Sequence, residues 1–483
     1  MSDYTERLDE AISSIEESAQ KHRDLVYGDE QTDVDLGGEK VPSLRKSINQ
    51  HVAGLVGLRG MKKVTDKMGL RCGPIWYVID GEGSAKIITD LTRFYPKGWQ
   101  ADRCPFGLKI YYVDSVNGSV SGDGLSWSTA MKSINTAIHQ PDVDAVLIAG
   151  GQHYGLDSDG VIAMGEYNGD RDVALISVGA PAIVSSARAV GWSVYDGDVY
   201  RSTSTGGSIP KVIDLSQVDE FGDPLEMRKA SSIEDLTENA FYDDGNNVFI
   251  HLLGGRVPDE NVLCLRSFIN QVSAKGVKWY ARNIKWYSAA SGALRYQGCG
   301  EQTVATVEDC VFGYSSLDGL CVRDIGLSIA RRCRSFKNAN DAFNYHAYNG
   351  LDPHGIEEHC IAYGSQKRGT GNGSTLHENC RALRVNCHYA YNRGPGIADI
   401  QTSKSFNVAV TSKSNFNSSN SWGFLATEQC EMWIDGGSAY ENSGNGEGGD
   451  VAFVSDVKAH VNGLATGSDI FLSGNATLDN DFS

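Results

Sequence analysis

The C-terminal half of the chain alternates short apolar stretches with turns of Gly, Asn, Ser and Asp, and this alternation repeats. Between residues 284 and 450, Cys310, Cys333, Cys360 and Cys387 form a column with steps of 23, 27 and 27 residues, which Lys413 and Gly437 extend. Five residues after each anchor stand Ser315, Asn338, Ser365, Asn392, Ser418 and Asn442. Three after it stand Phe336, Tyr363, Ala390, Phe416 and Tyr440, with Gly313 the exception. A further strand-like segment follows in each repeat: GLCVRD, AFNYHA, STLHEN, GIADIQ, GFLATE and DVAFVS. This period suits one coil of three short strands and their turns, with coils stacked about 4.8 Å apart. Leucine-rich and pentapeptide solenoids have a tighter period, and propeller blades a longer one. A column in sequence then becomes a ladder in space. Small thiols fill a narrow core, and Asn and Ser side chains bond along the axis at a turn. The pattern predicts an all-β chain built around a parallel β-helix, with the cysteines as core residues.

Upstream the pattern changes. In residues 2–22, Tyr4, Leu8, Ala11, Ile15 and Ser18 fall at three-to-four spacing, which predicts a helix, either an oligomeric stalk or a single surface helix. A turn-rich linker, Tyr27 to Gly38, follows. Val41–Val52 predicts a second short helix, with Pro42 at its start and Leu44, Ile48, Val52 and Leu55 on one face. Residues 53–107 form a small connecting domain in which WYVIDG and SAKIITDL read as strands. Tyr111–Ile138 reads as a strand, a polar loop and a helix from near Ser128 that gathers Ile134, Ala137 and Ile138 on one side. DAVLIAGGQHYG then gives an apolar strand ending in a Gly turn. Trp192, Tyr195, Tyr200, Phe241, Tyr242 and Val248–Leu253, split by Asp/Gly turns, predict an all-β insertion. The expected organisation is 1–52 stalk and neck, 53–107 connecting domain, 108–189 capping helix and first coils, 190–270 insertion, and 271–483 main coils.

Two segments resemble known families. YGDEQTDVDLGGEKVPSLRKSI, residues 27–48, resembles the N-terminal neck of phage tail fibres and tailspikes, which carry an acidic turn, Val-Pro-Ser-Leu and a short helix. Tyr111–Ile138 with the strand after it resembles the opening of pectate-lyase-like right-handed β-helices, where an Asp-Gly-Leu-Ser loop leads into a helix that caps the solenoid. Such an end needs a cap, because bare strand edges and core promote aggregation. The resemblances imply a bacteriophage tailspike: a receptor-binding depolymerase with a right-handed parallel β-helix and a short helical N-terminal attachment segment. They further imply a homotrimer in the virion, made in the host cytoplasm and joined to the phage tail or baseplate by its N-terminus. Its expected partner is a bacterial surface polysaccharide: capsule, exopolysaccharide or O-antigen.

Charge and composition narrow the remaining classes. Lys and Arg number 43 against 61 Asp and Glu, a formal charge of −18, so a nucleic-acid partner is not expected. The N-terminus is polar and acidic rather than a signal peptide, and apolar runs such as Ala145–Ala149 are too short for membrane insertion. The 11 cysteines lack paired CxxC spacing, which argues against a zinc ribbon or a disulfide framework. Gly444-Asn-Gly446-Glu-Gly448 precedes a strand rather than a helix, so it is not a phosphate loop. No HExxH occurs, and neither Gly151-Gln-His153 nor His354/His359 has metal spacing; no metal and no cofactor are expected.

Glycoside cleavage commonly uses two carboxylates flanking a bond, and stacked coils can supply them. Asp318 and Asp341 share a column eight residues after their anchors, where turn residues are the plainer reading. A richer cluster lies on the following strand: Asn344, Tyr345, His346, His377, Glu378, Asn379 and Asp399. Polar groups gather there where neighbouring repeats are apolar (Leu320/Val322, Phe424/Ala426, Val451/Phe453), and a strand that breaks its own pattern is a place to look for function. The alignment is open by one residue, so either Glu378 or His377 stacks on Asp399; a satisfied polar ladder is the structural alternative. NGSTLHENCRALRVN, Asn372–Asn386, resembles a pattern in phage-type β-helix proteins in which Asn-Gly-Ser precedes a His and an acid. Expected catalytic residues are Glu378, Asp399, Asp341, Asp318, His377 and His346. Expected substrate contacts are Asn344, Tyr345, Lys367, Arg368 and Trp422. The reaction expected is hydrolysis by paired carboxylates. The rivals are a polysaccharide lyase, with His346, His377 or Tyr345 taking a proton and Arg368 neutralising a uronate, and a glycan-binding adhesin without activity.

Overall fold

The structure is a computed structural model that describes residues 33–36, 39–42, 61–96, 108–155, 162–203, 207–366, 370–417, 420–444 and 447–482. The helix expected over 2–22 lies outside the described residues, as do residues 43–52 of the second expected helix and Lys367 and Arg368. Val41 and Pro42 are not helical. They end the strand Glu39–Pro42, which pairs antiparallel with Asp33–Leu36. The Gly-Gly between these segments is a sequence type that favours a tight hairpin over a helix start. The chain forms two compact units: Met1–Lys63 with Trp76–Ile79, and Val64–Ile75 with Asp80–Ser483. In the first, Met61–Lys63 pairs antiparallel with Trp76–Ile79.

The second unit is a right-handed parallel β-helix of about 11 turns. Each coil contributes one strand to each of three parallel sheets. In one coil these strands are His354–Glu358, Ile361–Tyr363 and Ser374–Leu376, and each pairs with its counterpart in the coils before and after. The corner between the first two strands has one recipe. A residue at positive φ (Asp309, Arg332, His359, Asn386, Ala409) is followed by a small inward residue (Cys310, Cys333, Cys360, Cys387, Val410). Left-handed backbone costs an L-residue about 1–2 kcal/mol. The coils offset this with bonds from each corner to the next, such as His359 N–H to Val385 O at 2.9 Å and Asn386 N–H to Val408 O at 2.9 Å.

This register corrects the column. His388 pairs with Thr411 and Thr411 with Ser438, so Val410, not Lys413, follows Cys387. The polar ladder accordingly runs through Asn415 rather than Ser418, and Phe416 is exposed on the surface instead of joining the aromatic column. The ladder itself forms as expected. Ser365 N–H donates to Asn392 Oδ1 at 3.2 Å, Asn392 to Asn415 Oδ1 at 2.9 Å, and Asn415 to Asn442 Oδ1 at 2.9 Å, all buried. A stacked Asn satisfies the corner backbone of its neighbour, where no strand ladder reaches.

The opening coils match the sequence reading in kind. Ile110–Val113 pairs parallel with Ala145–His153. Between them lie a 3-10 turn, Trp127–Thr129, and a short helix, Ile134–Ile138, that buries Ile134, Ala137 and Ile138. The expected continuous helix is thus in two pieces, because Ser126 and Ser133 each cap a separate turn. Ala145–His153 also continues past the expected Gly turn, with Gly151 at φ +123° where the strand passes between sheets.

Two segments cover outer faces of the solenoid. Residues 64–75 and 80–96 lie on the first sheet. Arg71 N–H donates to His354 Nδ1 at 2.9 Å, and Arg381 Nη1 donates to the carbonyls of Met68 and Gly69 at 2.7 and 2.8 Å. The insertion leaves after Val173–Ser185 and returns before Gln271–Val272. It forms a four-stranded and a five-stranded sheet around its own core of Tyr200, Val212, Phe241, Val248 and Ile250. It docks on the second sheet through Asp223, 2.6 Å from Arg334 and hydrogen-bonded to Tyr363, and through Pro224 O, which accepts from Tyr314 Oη at 2.5 Å.

Every cysteine among the described residues is buried and unpaired. Burial pushes the Cys72 thiol up to about 11 and those of Cys264, Cys299, Cys321 and Cys430 up to about 12. Reactivity needs thiolate and access. Native protein treated with a thiol-blocking reagent is therefore expected to keep its melting behaviour and any glycan cleavage; rapid loss of either would place a cysteine at a site.

Candidate functional site

The third sheet carries the polar break seen in the sequence. Its inward residues Leu320, Val322, Phe343, Tyr345, Leu376, Ile397, Phe424 and Phe453 belong to the core. The residues alternating with them, Cys321, Arg323, Asn344, His346, Thr375 and His377, face outward because successive strand residues point to opposite sides. Register decides which of these meet. Arg323 pairs with His346, and Tyr345 with Leu376, so His346 lies beside His377. Their rings stack with centroids 3.5 Å apart and 13° between planes.

Leu376, not Glu378 or His377, pairs with Asp399. The expected Glu378–Asp399 pair does not exist, and the two residues are on opposite sides of the wall. Asp399 points into the core, buried, where its carboxylate takes Arg384 Nη2 at 3.0 Å and Nη1 at 3.3 Å. Arg384 is fully buried. Its Nε donates to Ser374 Oγ at 2.9 Å and lies 3.8 Å from Glu357, which also accepts from Tyr389 Oη at 2.7 Å. Burial raises the proton affinity of Glu357, against the pull of Arg384, Tyr389 and Ser374. Glu357, Arg384 and Asp399 are thus an internal ion cluster. Tyr345 is likewise a core residue, lying against Gly355, so neither proton abstraction nor sugar stacking is open to it.

Asp318 and Asp341 do come together. Asp318 opens one third-sheet strand and Asp341 stands two residues before the next, Phe343–His346, with Gly319 N–H donating to Asp341 O at 2.9 Å. Asp318 Oδ1 accepts from Asn340 Nδ2 at 3.1 Å and from Asp341 N–H at 3.4 Å, and Asp341 Oδ1 accepts from Asn372 N–H at 2.9 Å. Both are buried. Burial raises the proton affinity of Asp318, opposed by hydrogen bonds from Asn344 and Asn340 and by the charge of Arg323. Asn344 sits beside them, buried, and Trp422 stands farther along the sheet, stacked on Phe471 at 5.6 Å.

Glu378 lies at the other edge of this sheet, in the turn that follows the third strand, at φ +51°. Gln401, Glu428 and Ser455 hold the equivalent position in later coils, also at positive φ. Glu378 N–H donates to Gln401 Oε1 at 2.5 Å. Its carboxylate accepts from Ala347 N–H at 2.9 Å and lies 3.3 Å from His346 Nδ1. Burial, then His346 and Arg323, push the His377 imidazole down to about 3.

Arg323, Asn340 and Asn372 were missed as site members. Arg323 was visible as the residue one coil before His346. Asn340 and Asn372 sit in turns, where an Asn carries no separate signal.

No family model matches the chain, and no curated protein matches it. Solved structures similar in fold include a glycoside hydrolase (TM-score 0.42, 9% identity, covering 77% of this chain and 96% of that one). Others are the pectate lyase Pel9A (0.34, 14%, 77% and 78%) and the receptor-binding tailspike of bacteriophage Det7 (0.30, 13%, 76% and 72%).

Proposed function

We propose that the chain is a tailspike-type depolymerase that binds a bacterial surface polysaccharide on the outer face of the third sheet and hydrolyses it. The observation that carries this reading is the stacking of Asp318 and Asp341 on consecutive coils, buried beside Asn344 at the start of that sheet. One coil spacing, about 4.8 Å, is close to the roughly 5–5.5 Å between the carboxyl groups of retaining glycosidases. Burial favours a protonated Asp318, which suits a general acid, and leaves Asp341 as the nucleophile. The neck-like segment at residues 27–48 supports attachment to a phage particle by the N-terminus and, with it, a homotrimer. Light scattering is expected to give the mass of three chains; a stable monomer at micromolar concentration would remove the tailspike part of the reading.

One observation favours β-elimination as a second reading: His346, hydrogen-bonded to Glu378, stands beside Arg323, and Arg could neutralise a uronate carboxylate. Incubation with a panel of bacterial capsules tests both. Hydrolysis releases new reducing ends without ultraviolet absorbance, whereas elimination adds an absorbing unsaturated end. Binding without either product would leave the adhesin.

A further inference from the structure

We propose that His346, His377 and Glu378 form a binding site for one borderline divalent transition-metal ion, with Zn2+ the reference ligand. One ligand atom from each residue can be chosen so that all three lie within 4.8 Å of one another. Two ligands held about 2.0–2.1 Å from a tetrahedral ion are about 3.3 Å apart. His346 Nδ1 and the Glu378 carboxylate are separated by 3.3 Å, which is long for a charge-assisted hydrogen bond and matches that ligand edge. Two imidazoles and a carboxylate are a donor set that suits Zn2+ and its neighbours rather than Mg2+ or Ca2+.

Three features make the cluster more than a chance grouping. The carboxylate is fixed, because Glu378 is anchored through its backbone to Gln401 and through one oxygen to Ala347 N–H. The ring nitrogens of His377 have no hydrogen-bond partner among the described residues, although the residue is only partly exposed. The two rings come from adjacent coils and face outward, so a fourth position is open to water or to a sugar oxygen. Binding requires two local adjustments. His346 takes the tautomer with its proton on Nε2, which leaves Nδ1 to the ion, and one ring turns out of the parallel stack so that both lone pairs converge. Arg323, one coil before His346, is the nearby opposing charge, so its removal should strengthen binding.

This inference does not rest on the Asp318–Asp341 reading, and its test uses no glycan. The full chain, freed of metal with chelator, is titrated with Co2+ as a spectroscopic probe and with Zn2+ by calorimetry. One equivalent per chain is expected, with visible Co2+ bands that Zn2+ abolishes. His346→Ala, His377→Ala and Glu378→Gln should each weaken binding at least about 30-fold, while His388→Ala on the second sheet leaves it unchanged and Arg323→Gln tightens it. Circular dichroism and melting confirm that each variant is folded; Glu378→Gln, which keeps the side-chain shape, serves if a histidine variant does not fold. Absence of stoichiometric binding in the wild-type chain would overturn the site. So would undiminished binding in folded Glu378→Gln together with either folded histidine variant.

Discussion

Arg384→Ala is expected to be the most damaging single substitution in the solenoid. Arg384 is fully buried between Asp399 and Glu357, and removing it strands two carboxylates in the core. Breaking a buried ion pair from one side typically costs about 3–5 kcal/mol. The melting midpoint should fall by several degrees or the chain should fail to accumulate as folded protein. The loss should also depend on pH. The proton affinity of Glu357 is already raised by burial, and Arg384 opposes that rise. Without the arginine, the folded-state pKa of Glu357 moves further above its unfolded value. The penalty is then smallest below the unfolded pKa and grows as pH rises through the folded one. The triple variant Glu357→Gln, Arg384→Met, Asp399→Asn should recover most of the stability, since it leaves no unpaired charge. A melting curve for Arg384→Ala within a degree of wild type at neutral pH would contradict the cluster's role.

Asp318→Asn and Asp341→Asn should each lower glycan cleavage by about 10²–10⁴-fold, the range typical of general acid–base catalysis. Both amides keep the side-chain shape, so folding and cell-surface binding should persist. If Asp318 is the acid, wild-type cleavage should decline as pH rises through its raised pKa, because burial holds its proton. That alkaline limb should be absent from the residual activity of Asp318→Asn. Asp399→Asn is expected to act on stability rather than on the chemistry, because its partner is Arg384 inside the wall. Near-normal turnover in both Asp318→Asn and Asp341→Asn would remove this pair as the catalytic centre.

The contrast between these two predictions reflects what a one-residue slip does in a strand. Among the repeated segments, STLHEN starts one residue late relative to its neighbours. The structure aligns Gly373, not Ser374, with Gly396, as Gly373 N–H to Pro395 O and Ser374 N–H to Gly396 O make plain. A single-residue shift exchanges the faces of a strand. The observed register therefore gives Asp399 Leu376 as its neighbour where the slipped spacing gives His377, with the Glu378 pairing two residues out; Asp399 falls in the core, and His346 and His377 are the true neighbours. The same sensitivity explains Lys413. Its spacing fitted the period, but the corner needs a small inward residue after a left-handed one, which Ala409-Val410 supplies.

By itself the sequence determined the solenoid, the cysteine core, the asparagine ladder and the turn and short helix of the opening coils. Each is a short-range pattern repeated at a nearly constant interval, so local chemistry and period are enough to specify it. It also placed Asp318 and Asp341 in one column, because both stand eight residues after a cysteine anchor. Only the tertiary structure decided which polar residues face outward and which form ion pairs inside. The His346–His377–Glu378 cluster joins residues about 30 apart in sequence, and the Glu357–Arg384–Asp399 cluster joins two sheets across the interior. Turn lengths between strands vary from coil to coil, so the register that creates these contacts is fixed by hydrogen bonds between coils and not by any spacing along the chain.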